Sequence, residues 1–119
     1  MDTNCSPYQL AIDLLDRSPC TNVRTASVIV DKKGRIFAWG WNHPGQVGLG
    51  LCAERHAILR ANRKRLPGAT IFVAGIRFRN RKYVFSKPCD KCETVMGACG
   101  IKKAEYITPS GDWKSVDFY

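Results

Sequence analysis

Two short stretches hold the residue types that could do chemistry. "LCAERHAIL", residues 51–59, sets Cys52, Glu54 and His56 at the head of a helical pattern, and "KPCDKC", residues 87–92, sets Cys89 and Cys92 three apart behind Pro88. On the first turn of a helix, an i, i+3 pair presents both sulfurs to one point. A helix N-terminus lowers thiol pKa values, and zinc binds the thiolate. Redox pairs and structural zinc sites also use C-x-x-C, and a tetrahedral zinc needs further ligands. Cys52, at the head of another helix, can supply a third thiolate. Three protein ligands leave one position for water, which is the catalytic arrangement. Glu54 lies two residues beyond Cys52, so its carboxylate can reach such a water without being a ligand. It can then take the proton and hand it on, as general base and afterwards as general acid.

These residues need elements to hold them. "SPYQLAIDLLDRS" is an amphipathic helix, with Ser6 placed to cap it and Pro7 in its first turn. "TASVIVD" and "RIFAWGW" are β-rich runs joined by "DKKG", where Gly34 allows a hairpin turn. "QVGLGL" is a Gly-spaced loop leading to Cys52. A helix then runs from Ala53 to about Leu66, with Ala57, Ile58, Ala61 and Leu66 on its apolar side, stopped by Pro67 and Gly68. "ATIFVAGIRF" is apolar nearly throughout, hence a buried central strand. After the turn "RNRK" and the run "YVFS", a helix spans about Cys89 to Cys99 and ends at Gly100. "KAEYITPSGDWKSVDFY" reads as strand, turn, strand; only four residues separate the two, so they must be antiparallel. Helices alternating with strands give a layered α/β domain.

A chain of 119 residues suits one domain, 1–119, with one core. No stretch approaches the roughly 20 consecutive apolar residues of a membrane helix, and the N-terminus has no secretory pattern. A soluble, cytoplasmic protein without membrane partners is expected. In that setting six cysteines point to reduced thiols or metal ligation rather than to a disulfide scaffold. The net charge of +9 is uneven. Residues 1–54 are neutral overall, residues 55–103 hold thirteen basic and two acidic residues for a net +11, and residues 104–119 net −2. The positive field therefore surrounds both cysteine motifs and suits anions, phosphates above all; it is equally the mark of a solvated surface.

Cys or His, then Glu two residues on, then Pro-Cys-x-x-Cys, is the recognised signature of zinc nucleobase deaminases. The chain resembles the cytidine deaminase superfamily from near Tyr8 to near Phe118. Cys52-Ala53-Glu54-Arg55 followed by Ala57 is similar to the C-A-E-R-x-A of free-nucleoside cytidine deaminases, and Pro88-Cys89-x-x-Cys92 to their second motif. The resemblance implies a three-layer α/β/α sandwich with a mixed five-stranded sheet. It makes Cys52, Cys89 and Cys92 ligands of Zn2+, Glu54 the proton shuttle, and Ala53 a backbone contact to the base. A guanidinium at Arg55, hydrogen-bonded to a ligand sulfur, would offset the excess charge of three thiolates. It is otherwise a surface charge on the first turn.

Asn42, in "GWN", stands where the superfamily holds a sugar hydroxyl and is expected to contact the substrate; a turn residue is the alternative. "GWNHP" also resembles the G-W-N-x-P of bacterial tRNA adenosine deaminases, which use His in place of Cys52. Free-nucleoside enzymes have a Glu two residues after the Asn, where this chain has Pro44. Trp39, Trp41 and His43 could stack on a base, or the two tryptophans could pack a sheet face. His56 is a possible ligand or a packed histidine, Cys99 a small apolar core residue, and Cys5 and Cys20 carry no assignment.

The expected activity is hydrolytic deamination of a cytosine nucleoside or mononucleotide, with water attacking C4 and Glu54 protonating N3 and then the departing amine. The basic segment 55–103, with Arg77, Arg79 and Arg81 at period two and Lys82, Lys87 and Lys91 nearby as candidate phosphate contacts, leaves open a polynucleotide deaminase acting on RNA or single-stranded DNA, whose binding would fall steeply with salt. A non-catalytic zinc module that binds nucleic acid is the remaining alternative, with no use for Glu54. Relatives with the short three-cysteine pattern form tetramers, so the resemblance implies a homo-oligomer, a tetramer.

Overall fold

The computed structural model describes residues 6–44 and 52–118. Cys5 and the glycine-spaced stretch 46–51 lie outside the described residues. Helix α1, Pro7–Asp13, starts where Ser6 caps it: the Ser6 hydroxyl accepts the backbone N–H groups of Tyr8 and Gln9, and Pro7 fills the first turn. A 3-10 turn, Leu14–Arg17, continues it. Strands β1, Val23–Val30, and β2, Ile36–Trp41, form the expected hairpin, and Gly34 takes a φ of +84° in its turn.

Helix α2 is shorter than the apolar spacing predicts. It spans Ala53–Arg60 and stops at Ala61, whose ψ of 148° leaves the helical region. Asn62 then accepts the backbone N–H of Lys64 and opens a separate 3-10 turn, Arg63–Arg65. A helix continued to Leu66 would set Arg60, Arg63 and Lys64 at i, i+3, i+4, where like charges repel. The Asn62 side chain also competes for local backbone groups.

Strand β3, Thr70–Arg77, is buried along all but its two ends. Helix α3, Asp90–Ala98, begins behind Cys89 and ends at Gly100, whose φ is +84°. Strands β4, Lys103–Ile107, and β5, Trp113–Asp117, close the chain. The sheet order is β2-β1-β3-β4-β5, and only β3 and β4 run parallel. The last two strands are antiparallel, as their short connection requires.

Alternation along the strands divides the core between the two sheet faces. Ile29, Ile71, Val73 and Ala104 join Ala57 and Ile58 of α2 and Cys92 and Met96 of α3. Val28, Phe72 and Ala74 join Ala11 of α1 on the other face. Among the described residues no helix is long and apolar enough to cross a membrane.

Gly40 lets α2 lie directly on β2. A Cβ there would stand 2.5 Å from the backbone nitrogen of Ala57 and 3.0 Å from the Ala53 carbonyl oxygen. Backbone cannot give way as a flexible side chain can. Gly40→Ala should therefore lower the melting midpoint by roughly 5–10 °C, the cost of overpacking by about 1–3 kcal/mol. An unchanged midpoint in calorimetry would refute the close approach.

Candidate active site

Three ties between α2 and the sheet fix the head of that helix. The buried Ser27 hydroxyl on β1 donates to the Ala53 carbonyl at 2.8 Å. The Trp41 backbone N–H on β2 donates to His56 Nδ1 at 3.1 Å. Gly40 supplies the close backbone approach already described. His56 is thereby turned toward β2 and its ring packs edge-on against Trp41 and His43. Its Nδ1 is an acceptor, and burial holds its pKa below the ordinary value. The structure assigns it to packing and does not bring it into the cavity beside Cys52.

Cys52 and Cys89 are the N-cap residues of α2 and α3, and neither sulfur makes a capping hydrogen bond. Side chains that usually cap carry oxygen acceptors; here the two sulfurs stand at the positive ends of two helices with their capping role unused. Both line a cavity of about 500 Å³, together with Cys92 and Glu54. Cys92, one turn into α3, is 1% exposed, whereas Cys89 is exposed. Among the described residues no three His, Cys, Asp or Glu side chains are gathered into a ready-made metal cage. The three thiols instead face one cavity. Burial pushes the Cys92 thiol up, and the neighbouring Glu54 carboxylate and the thiols of Cys89 and Cys52 push it further. The donor set therefore consists of three soft sulfurs and a close carboxylate, and it fits zinc chemically.

Glu54 is 7% exposed, and burial pushes its carboxyl above the ordinary value, opposed by its own backbone N–H and by the Arg55 charge. Arg55 Nη2 lies 3.9 Å from Cys52 Sγ, and its buried Nε has no partner among the described residues.

Asn42 also lines the cavity, but its amide is largely taken up by protein. Oδ1 accepts the Thr25 backbone N–H at 2.9 Å and the Ser18 hydroxyl at 2.6 Å, and Nδ2 donates to the Val23 carbonyl at 3.0 Å. One Nδ2 hydrogen is left for a ligand. The Ala53 carbonyl is occupied by Ser27, so what Ala53 retains is an N–H in the first helical turn, where no intrahelical partner exists.

Val84, Phe85 and Ser86 lay beyond sequence reasoning, whereas Lys87 was legible as a basic residue at the head of the second cysteine motif. Val84, Phe85, Ser86 and Lys87 form one wall, anchored by Val84 N–H to the Gly75 carbonyl and Ser86 N–H to the Ile107 carbonyl. Phe85 is 60% exposed and its ring meets Tyr106 edge-on. The only sequence signal for its first three residues is their position just before Lys87 and Pro88. His43 lines the cavity, whereas Trp39 and Trp41 do not; the Arg60 guanidinium lies over both indole rings. Cys99 is half-buried, packed against the edge of the core and not fully inside it, and the Cys20 backbone donates to the Ser18 hydroxyl and accepts from the Arg24 guanidinium.

Comparison with known proteins identifies the family and the fold. A family model described as the cytidine and deoxycytidylate deaminase zinc-binding region matches residues 1–108. The fold is similar to the solved cytidine deaminase from Burkholderia pseudomallei, with a TM-score of 0.72, 23% identity, and coverage of 98% of this chain and 94% of that one. It is similar as well to cytidine deaminase from Mycobacterium leprae, with a TM-score of 0.60, 22% identity and coverage of 91% and 88%. The Mycobacterium tuberculosis cytidine deaminase aligns with a TM-score of 0.58, 18% identity and coverage of 91% and 84%. At such identities the likeness concerns the fold. A search among curated proteins finds no match.

Proposed function

The chain belongs to the cytidine and deoxycytidylate deaminase family, and from that premise we propose that it catalyses zinc-dependent hydrolytic deamination of a cytosine nucleoside or mononucleotide to the uracil form. What carries the reading is the meeting of Cys52, Cys89, Cys92 and Glu54 in one cavity. Zinc held by the three thiolates supplies Lewis acidity toward a water molecule when it is bound. Arg55, beside the Cys52 sulfur, offsets part of the thiolate charge. Glu54 takes a proton from the water and delivers it to N3 as the oxygen adds to C4. It then moves the remaining hydroxyl proton to the amino nitrogen, so that ammonia leaves and the carbonyl forms. We assign the Ala53 N–H, at the buried head of α2, to the base and the spare Asn42 amide hydrogen to the sugar, and the exposed Phe85 ring offers a stacking face.

A second reading, deamination of cytosine within RNA or single-stranded DNA, is favoured by Lys87 in the cavity wall and by the basic turn Arg77–Lys82 that leads into that wall. We also propose a homo-oligomer, a tetramer: Leu59 is 68% exposed and borders an apolar groove between α2 and α3.

Ammonia release should be measured on cytidine, deoxycytidine, their monophosphates and cytosine oligonucleotides, with the oligomer's mass taken by light scattering. Turnover of the monomeric substrates is expected. Turnover on oligonucleotides alone would transfer the assignment to the second reading, silence on every cytosine compound with zinc bound would overturn both, and the mass of one chain would refute the oligomer.

A further inference from the structure

At the pole of the sheet opposite the candidate active site, a second cavity of about 300 Å³ is lined by Lys32, Lys33 and Arg35 from the β1–β2 turn and by Lys64 and Arg65 from the turn after α2. Strand β1 separates the two sites. Val23 at its start lines the active-site cavity, and Asp31 just past its end lines the second one. At about 3.3 Å per residue Val23 and Asp31 stand roughly 25 Å apart along that strand.

Two of the charges, Asp31 and Arg65, are held in place. Asp31 is the one acid in the lining, and its carboxylate is fully engaged: Oδ1 accepts the backbone N–H groups of Lys33 and Arg35, at 2.9 and 3.0 Å, and Oδ2 accepts from Arg65 at 2.6 Å. The Arg65 hydrogen bond, then that of Arg35, holds the Asp31 pKa down to about 2, so the clamp persists at any ordinary pH. The Arg65 guanidinium also lies over the Phe37 ring at 4.6 Å, which fixes its plane. Five cations against one acid leave a net +4 around a small cavity. Among the described residues Lys32, Lys33, Arg35 and Lys64 are in no ion pair.

This charge density selects the ligand's chemistry. A phosphodiester strand brings one charge per bulky repeating unit, so few of its charges enter a cavity of this size. A condensed phosphate chain brings several charges on adjacent phosphorus atoms. A fixed guanidinium gives paired, directional donors to phosphate oxygens, while lysines add mobile point charges. We propose that this cavity binds a condensed phosphate chain, either free or carried by a nucleotide, independently of the catalytic cavity.

Calorimetric titration of the zinc-loaded protein, dialysed free of excess metal, tests this with sodium tripolyphosphate, orthophosphate, ATP and a single-stranded DNA oligonucleotide. Tripolyphosphate should bind at one equivalent, at least roughly tenfold more tightly than orthophosphate. The double variant Lys33→Ala/Lys64→Ala, exposed at both positions, should melt like the parent and lose about tenfold or more in tripolyphosphate affinity. Lys91→Ala, on α3 beside the other pole, should leave binding unchanged. ATP matching tripolyphosphate would identify the chain alone as what is recognised, and ATP binding more tightly would identify a nucleotide-borne chain; both uphold the proposal. Equal binding of orthophosphate, indifference to the double substitution, equal sensitivity to Lys91→Ala, or displacement of tripolyphosphate by a tighter oligonucleotide would each overturn it.

Discussion

Glu54→Gln should bind zinc as the parent does, fold as the parent does, and lose roughly 10²–10⁴-fold in turnover on cytosine substrates. The amide keeps the shape of the carboxyl and its place in the first turn of α2, but it cannot accept the proton that must leave water and reach N3. Because Glu54 is nearly buried, its charged form lacks solvation that the neutral amide does not need. The melting midpoint of the variant should thus equal or exceed that of the parent. That combination separates a proton shuttle from a structural carboxylate, whose loss would cost stability and activity together. Steady-state rates, zinc content by mass spectrometry and calorimetric melting decide the matter. A variant keeping more than about a tenth of parental turnover would remove Glu54 from the proton path.

What the sequence made legible was whatever depends on neighbours along the chain. The Ser6 cap, Pro7 in the first turn, the Gly34 hairpin and the buried run of β3 are local or compositional, and each stands where the pattern puts it. The cysteine spacings belong to the same class, since Cys89 stands at the N-cap position of a helix whose first turn carries Cys92. The end of α2 was not legible, because the apolar spacing through Leu66 survives in a buried Leu66 that reaches the core from outside the helix. Hydrophobic periodicity reports burial, and here burial continues after helical geometry has stopped. Asn42 was legible as a residue near the site, but not its bonds to Ser18 and Thr25, which arise from a 24-residue and a 17-residue separation in the chain. The wall from Val84 to Ser86 has neither periodicity nor a motif. It exists because β3 and β4 offer carbonyls at Gly75 and Ile107 to its backbone.

Cys89→Ser should lose zinc, and of the three proposed ligands it gives the clearest test. Cys92 is buried in the core beside Met96, so replacing it would bury a hydroxyl and disturb packing as well as ligation. Cys89 is exposed at the N-cap of α3, where serine is itself a favoured capping residue. The apo fold should therefore be kept or slightly strengthened by the substitution, and any loss is attributable to the sulfur. Groups that merely support a ligand are worth about 10–100-fold in metal affinity, so removal of a thiolate should cost more than roughly 100-fold. Turnover should vanish with the metal, and the stabilisation that zinc adds to the parent should vanish too, since an ion bound only by the folded chain raises its melting midpoint by mass action. Cys20→Ser and Cys99→Ser, half-buried cysteines outside the active-site cavity, should hold zinc as the parent does. Stoichiometric zinc retained by Cys89→Ser after dialysis against a chelator would dismantle the three-thiolate site, and the proposed catalytic role of Glu54 would lose its activated water.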